Sequence, residues 1–418
     1  MGKMCVMNTN EKVVLLSLIG KGRIEDGGYR KAGYYFKETK EVIYTSFFGA
    51  ALYRVLKKLG YNVVQWIIFG TRHSNWSELI SVLEDENKEE IDDLVEWYMK
   101  VYEQEQKGIS DEMLGQWETM LSDRIPGIRL LSVDPLDYGV YINTLLKEFT
   151  DERCKVVLDI THAYRHMPVI LAFSMMVLKY IKNISNVSVY YGALDMGRFM
   201  NDIPVNSVPV LKIDLISDLV STVESLATFN NSGYFVDLLN LLGIENTEKT
   251  YFWLETNRQP RSQLTQITER LQNLSEGNDY KALIAGYLND QLKPLLSSTL
   301  DKRMVERAKL FFGKKQYLKA LILLYEGIVI GIGRKNGFNG YLGYDDREKI
   351  RQFIKNNDNT LFNDIQRETY YKLEYTRNAA VHGSRARGTQ DTVEQPDSFE
   401  RLFKEAVKLY EDINADQR

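Results

Sequence analysis

The residues with the clearest chemical potential lie in one short stretch, 375–383, which reads YTRNAAVHG and contains Arg377, Asn378 and His382. His382 is one of only four histidines in 418 residues. A histidine can move a proton near neutral pH, and an arginine can stabilise charge that grows on a phosphate. An asparagine can orient the imidazole or the substrate. These three side chains would suffice to cleave RNA through its own 2′-hydroxyl, without a metal.

The spacing of apolar and small residues before this stretch predicts a helix that ends near His382, with Gly383 as its C-terminal cap. Asn378 and His382 are four residues apart and share a helix face. Arg377 and His382 diverge by about 140° on an ideal helix, so they would meet best against a second copy or in a loosened last turn. The alternative interpretation is an ordinary helix end, stabilised by a histidine and followed by a solvated basic loop.

Three further residues extend this candidate site. Arg385 and Arg387 follow the helix and could hold flanking RNA phosphates. Glu326 lies in the apolar run 320–330, where an unpaired charge would be costly, and Arg377 is a suitable partner. Glu326 could equally face solvent from an apolar helix.

Composition limits the classes of function. The chain is 44% hydrophobic and 26% charged, which is typical of a soluble globular protein of two or three domains. A net charge of −4 argues against a general nucleic-acid coat, so any RNA contact must be a local patch. Cys5 and Cys154 form no metal-ligand or disulfide pattern, which favours a reducing cytoplasm. The apolar runs are too short or too polar at their ends to span a membrane.

Alternating strand and helix patterns predict an α/β sheet domain over residues 1–215, with an acidic helical insertion at about 76–122. One predicted helix covers 44–59, with Thr45 or Ser46 as its cap. Beyond residue 215 the pattern is helical, with a connecting region over 216–299 and a final domain over 300–418. Buried strands are predicted at 12–19, 62–69, 127–133, 155–160, 186–194 and 208–215.

Two polar loops follow the first and fourth of these strands, where open parallel sheets bind ligands. The second loop leads into a helix whose N-terminus favours an anion, which suits a phosphate-rich, ribose-bearing ligand. Each residue also has a structural interpretation, such as tying down the loop or packing in the core, and the first loop lacks a phosphate-binding fingerprint. The candidate ligand-binding residues are Gly20, Lys21, Gly22, Asp159, Thr161, His162 and Arg165.

The segments VVLLSLIGKG, GTRHSNW, VVLDITHAYRHMP and NVSVYYGAL together resemble the sensor domain of the CRISPR-associated CARF–HEPN ribonucleases. Relatives often have glycine where this chain has Ala163. The stretch from Arg377 to His382 is similar to the Arg-x4-6-His motif of HEPN nucleases. The resemblance covers roughly 1–215 and 300–418, in the family's order of sensor first and nuclease last.

The resemblance implies a Rossmann-like CARF domain, a C-terminal HEPN domain, and catalytic roles for Arg377 and His382 with support from Asn378. It implies a homodimer or a higher oligomer that binds cyclic oligoadenylate made by a type III CRISPR complex. Family habit favours cyclic tetraadenylate over hexaadenylate. The implied activity is metal-independent endonucleolytic cleavage of single-stranded RNA, with 5′-hydroxyl and 2′,3′-cyclic phosphate products.

Two other functions remain open at the level of the sequence. One is a nucleotide-sensing regulatory protein whose C-terminal helices only dimerise. The other is a sensor that also degrades its activator, using Thr161, His162 or Lys21 to position a ribose 2′-hydroxyl.

Overall fold

A computed structural model describes residues 12–22, 24–25, 28–83, 92–150, 152–340, 343–385 and 388–415. The chain divides into two compact units between Ser221 and Thr222. The first unit is an α/β sheet domain and the second is helical, which confirms the predicted fold class. No helix in the described ranges is long and apolar enough to cross a membrane.

The first unit is built on an eight-stranded sheet in which a central block of five strands is parallel. Its order is β5-β4-β10-β9-β8-β1-β6-β7, and β2 pairs separately with β3. The strands are β1 (Lys12–Leu18), β2 (Ile24–Glu25), β3 (Gly28–Tyr29), β4 (Ala32–Phe36), β5 (Glu41–Thr45), β6 (Asn62–Gly70), β7 (Ile128–Ser132), β8 (Cys154–Asp159), β9 (Ile184–Gly192) and β10 (Val208–Lys212).

Helices cover both faces of this sheet, because the central strands are apolar on both sides. The predicted insertion contains a 3₁₀ helix at Trp76–Leu83 followed by α2 and α3; residues 84–91, which hold most of its acidic run, lie outside the described residues. The helices are α1 (Phe48–Lys58), α2 (Asp92–Glu105), α3 (Asp111–Ser122), α4 (Tyr138–Glu148), α5 (His166–Ile181) and α6 (Asp214–Ser232), which crosses the division between the units.

The predicted helix over 44–59 begins too early, because Thr45 belongs to strand β5 and α1 starts at Phe48. The Thr45 hydroxyl bonds Ser81 instead of capping the helix. Strands β2 to β5 were not predicted at all. Strand β4 joins the sheet through β10, almost 180 residues further on, and Tyr34 packs edge-on against Phe48 with ring centroids 4.9 Å apart. Such long-range pairing leaves little local sequence pattern.

The order of strands reverses at β1, which lies between β6 and β8. The loops that follow β1 and β8 therefore flank the switch point, as the sequence predicts. They touch closely: a Cβ atom added to Gly20 would lie 2.9 Å from the backbone nitrogen of Ala163. A glycine at this position permits the contact.

The second unit is helical, and its longest buried element is α12, with residues 323–333 all buried. Glycines on this helix let its neighbours approach: a Cβ on Gly327 would lie 2.8 Å from Val305 Cγ2, and one on Gly333 would lie 2.5 Å from Ile350 Cδ1. The helices are α7 (Val236–Leu241), α8 (Glu248–Glu255), α9 (Arg261–Ser275), α10 (Tyr280–Leu292), α11 (Leu300–Gly313), α12 (Tyr317–Lys335), α13 (Tyr344–Leu361), α14 (Asp364–His382), α15 (Gln390–Glu394) and α16 (Pro396–Ala415).

A buried ion pair fixes one side of α12. Asp301 on α11 is fully buried and accepts two bonds of 3.2 Å from Arg334, while the Tyr410 hydroxyl of α16 donates to it at 2.7 Å. Burial opposes the charge, but the hydrogen bonds from Arg334 and Tyr410 hold the pKa of Asp301 below its ordinary value. Three helices are thereby tied together behind the candidate catalytic residues.

Candidate functional sites

A groove of about 890 Å³ opens between α13 and α14, with α12 as its floor. A two-residue connection joins α13 to α14, so one face of each helix can form a wall. Glu326, Arg377, Asn378 and His382 all line this groove. The structure thus brings together four residues that the sequence separates by up to 56 positions.

Glu326 is buried and lies among three arginines. Its Oε1 accepts a bond of 2.8 Å from Arg351 and lies 3.4 Å from Arg377, while its Oε2 accepts a bond of 3.0 Å from Arg347. The interpretation that Glu326 faces solvent is therefore wrong, and the predicted pairing with Arg377 is present. Arg347 and Arg351 were missed by the sequence reasoning, although their spacing of four places both on one helix face.

The Arg377 guanidinium is held by two neighbours besides Glu326. It donates to Asn378 Oδ1 at 2.7 Å, and its Cζ lies 4.4 Å from the centre of the Tyr325 ring. The Tyr325 hydroxyl in turn donates to Glu374 at 2.8 Å. The tyrosine ring and the amide therefore fix the orientation of the guanidinium plane.

His382 is the last residue of α14 and is exposed to solvent in the groove. Gly383 follows with φ 61, in the left-handed region that favours glycine, which confirms the predicted cap. The last turn stays helical, yet Arg377 and His382 still line one cavity, because the long arginine side chain bends across Tyr325. Arg385 is exposed just beyond the helix, and Arg387 lies outside the described residues.

The groove carries nearly balanced charge. Its lining includes four permanent cations and three carboxylates, besides His382. It can hold phosphate groups at the arginines and can offer an exposed imidazole for proton transfer. Among the residues with described positions, no group of three or more His, Cys, Asp and Glu is arranged to hold a metal ion.

The second candidate site lies at the switch point of the sheet, in the first unit. The backbone nitrogen of Thr161 donates to Asp159 Oδ1 at 2.8 Å, and its hydroxyl accepts a bond of 2.8 Å from the Gly192 backbone. Asp159 is fully buried, and the hydrogen bond that it accepts shapes the loop that follows β8. Burial raises the pKa of Asp159 to about 7.

His162 also serves the loop. Its Nε2 accepts a bond of 3.1 Å from the Phe48 backbone nitrogen at the start of α1, and its ring centroid lies 5.9 Å from that of Phe47. The residue is partly exposed, but this nitrogen points inward, and burial lowers the pKa of His162 to about 4. The neutral ring is the form that can accept this bond. Ala163 follows with φ 82, a conformation that glycine adopts more readily.

Of the charged residues predicted to bind the ligand, Lys21 and Arg165 are exposed to solvent. Gly22 lies against the loop after β6: a Cβ there would be 2.6 Å from Asn75 Nδ2. Asn75 is buried, and its Oδ1 has no hydrogen-bond partner among the described residues. The sequence reasoning missed Asn75, which belongs to a third loop at the same edge of the sheet.

Comparison with known proteins identifies the class of the first unit. Residues 14–195 match the family described as CRISPR system endoribonuclease Csx1, CARF domain. The first unit is therefore a CARF domain similar to that of this CRISPR-associated family.

A curated relative supports the same assignment over a longer span. The CRISPR-associated protein MJ1674 of Methanocaldococcus jannaschii is 23% identical over 463 aligned positions, which include 96% of this chain. The chain spans 66% of the length of that relative.

We expect the free energy of unfolding of the first unit to depend on the charge of Asp159. Its raised pKa means that the stability it contributes is complete below pH 4 and is lost as the pH rises through about 7. Wild type should lose about 2–3 kcal/mol relative to Asp159→Asn between pH 5 and pH 8. Denaturant titrations followed by tryptophan fluorescence measure this, because four of the five tryptophans lie in the first unit.

The exposed Asp195 supplies the control, since Asp195→Asn should leave the pH dependence of wild type unchanged. His162 contributes stability with the opposite pH dependence: this stability is present above the ordinary pKa of histidine and is lost as the pH falls through about 4. It is the same in wild type and in Asp159→Asn, so it cancels in the comparison. Parallel pH profiles for wild type and Asp159→Asn would contradict the assignment.

We expect Glu326→Ala to destabilise the second unit by about 3 kcal/mol, because three arginines would lose their shared partner. Glu348→Ala is the matched control: its carboxylate is 43% exposed and pairs with Arg351, so its loss should cost at most about 1 kcal/mol. Thermal unfolding followed by helical circular dichroism compares the two. Equal small losses would show that Glu326 does not hold the groove together.

Proposed function

We propose that this chain is a cyclic-oligoadenylate-activated, metal-independent endoribonuclease specific for single-stranded RNA, acting in type III CRISPR defence. The observation that carries the proposal is the meeting of Arg377, Asn378 and His382 in one open groove, on a chain whose other unit is a CARF domain. The proposal assigns residues 1–215 to the CARF sensor, 216–299 to a connecting region and 300–418 to a HEPN nuclease domain.

The chemistry uses the substrate's own nucleophile. The ribose 2′-oxygen bonds to phosphorus as the bond from phosphorus to the 5′-oxygen breaks, and one proton passes from the 2′-hydroxyl to the 5′-oxygen. His382 is positioned for this proton transfer because its ring is exposed in the groove. Arg377, oriented by Tyr325 and Asn378, stabilises the charge on the phosphate oxygens. Arg385 and Arg387 hold flanking phosphates.

The activator binds at the switch-point loops of the CARF unit. Lys21 and Arg165 offer charge to its phosphates, while Gly20 and Gly22 keep the loops close enough to form one surface. Asp159, Thr161 and His162 hold the second loop in shape. Cyclic tetraadenylate is favoured over cyclic hexaadenylate as the activator.

The proposed active form is a homodimer or a higher oligomer. The apolar side chains Val169, Phe173, Val177 and Ile181 recur every four residues on α5, and each is 45% exposed or more. An exposed apolar stripe of this kind is typical of a subunit interface. The loop of Thr161 leads straight into α5, so two copies joined there would bring their loops to a two-fold axis that suits a cyclic ligand. The low cysteine content favours the cytoplasm as its location.

We expect His382→Ala to reduce activated RNA cleavage by at least about a hundredfold, because it removes the proton-transfer group. Arg377→Ala should be similarly impaired, whereas Arg401→Ala, which changes an exposed arginine of α16, should cleave like wild type. The assay mixes protein, labelled single-stranded RNA and cyclic oligoadenylates of several sizes in EDTA. Products should end in a 5′-hydroxyl and a 2′,3′-cyclic phosphate.

The same assay separates the rival functions. Tight activator binding without RNA cleavage by wild type would favour a regulatory protein. Loss of the cyclic oligoadenylate during the assay would favour a sensor that degrades its activator. Full activity of His382→Ala would exclude this groove as the catalytic site.

We expect Lys21→Ala to raise the half-maximal activator concentration by about tenfold or more, because one charge-assisted contact to phosphate is lost. Cleavage at saturating activator should be unchanged. Lys147→Ala is the control, since this exposed lysine lies in the last turn of α4 and not in the switch-point loops. An unchanged activator titration for Lys21→Ala would remove this loop from the ligand site.

A further inference from the structure

The groove of the second unit is unusually rich in tyrosine, and the proposed cleavage chemistry uses only part of this set. Tyr325 and Tyr370 are buried beneath the arginines, whereas Tyr375 is 40% exposed and Tyr344 is 77% exposed. The tyrosines that line the groove are Tyr325, Tyr344, Tyr370, Tyr371 and Tyr375. The exposed rings add apolar surface to the groove without filling a core.

The aromatic residues of α14 form a line with the catalytic candidates. Tyr371, Tyr375, Asn378 and His382 follow one another at spacings of four, three and four, so they share one helix face. Seven residues separate Tyr375 from His382, a rise of about 10 Å along the helix. A strand of nucleic acid whose phosphate lies at His382 would therefore pass over the ring of Tyr375.

The ring of Tyr375 is supported from one side. It stacks on Tyr371 with centroids 6.1 Å apart and planes 23° apart, and the Tyr371 hydroxyl is fixed by a 2.9 Å bond to Asp358. A ring that is held in place and partly exposed loses little freedom when a planar group packs against it. The sequence pattern and the packing therefore both point to a stacking surface.

The charge of the groove indicates what such a surface must contribute. Four permanent cations face three carboxylates, so attraction for phosphates alone is weak. Proteins that bind single-stranded nucleic acid combine phosphate contacts with aromatic rings on which bases stack. In this groove base stacking must supply a large part of the binding free energy, because electrostatic attraction supplies only a small part.

We propose that Tyr375, supported by Tyr371, stacks on a base of the single-stranded RNA next to the cleaved bond, with Tyr344 contacting the strand from α13. This inference rests on the proposed ribonuclease function and adds a substrate-positioning site to it. Stacking is possible for every base and is strongest for the larger rings, so purines are favoured at this position.

The experiment compares cleavage of RNA oligonucleotides that are intact or carry one abasic nucleotide, moved stepwise past the cleavage position. With wild type, one abasic position should raise KM by about ten- to a hundredfold and leave kcat nearly unchanged. Tyr375→Leu should raise KM for the intact RNA by a similar factor and lose the distinction between the two RNAs. Tyr375→Phe should behave like wild type because it keeps the ring.

Phe252→Leu is the control, since Phe252 is an exposed aromatic residue of the same unit that does not line this groove. Wild-type KM in Tyr375→Leu, or tolerance of abasic sites at every position, would overturn the stacking site while leaving the ribonuclease function intact. Absence of cleavage by activated wild type would instead reject the proposed function. In that case, fluorescence anisotropy with the same oligonucleotides still tests base stacking. Equal affinity for the intact and abasic RNAs would show that the protein contacts only the RNA backbone.

Discussion

The groove of the helical unit depends on the buried carboxylate of Glu326. Two arginines of α13 and one of α14 converge on it, so a single acidic residue of α12 fixes the positions of both walls. Burial of these charges is costly, and the ion pairs offset that cost only because their geometry keeps the partners within hydrogen-bond range. The same contacts keep Arg377 beside Tyr325 and Asn378, where its guanidinium can face a phosphate. Stability and site geometry therefore have one common origin in this unit.

In the CARF unit, the order of the strands positions the candidate ligand-binding loops. Reversal of strand order at β1 brings two loops to one edge, and glycine at position 20 lets them touch. The side chains of Thr161 and His162 accept hydrogen bonds from the backbone of β9 and α1, and these bonds tie down the second loop. The polar residues predicted to bind a ligand divide into two groups: some build the loop, and others, such as Lys21 and Arg165, are exposed to solvent.

Sequence reasoning succeeds where the signal is local. The end of α14 at Gly383 follows from helix period and capping, and the central strands follow from short apolar runs. It fails where distant residues decide the outcome, as with β4, which depends on pairing with β10. The pairing of Glu326 with Arg377 could be predicted because burial of a lone charge demands a partner, whereas Arg347 and Arg351 are recognisable only once α13 lies against α12. The residue types suggested both sites, but only the folded chain shows which side chains are buried.

Ala163 introduces backbone strain into the CARF loop that follows β8. Its left-handed backbone costs an alanine about 1–2 kcal/mol, and neighbouring bonds hold it there. The hydrogen bonds of the loop offset this backbone strain. The observed conformation of the loop is therefore less stable than it would be with glycine at position 163. Less free energy is needed to change it. A molecule that bound this loop would then need less binding free energy to change its conformation.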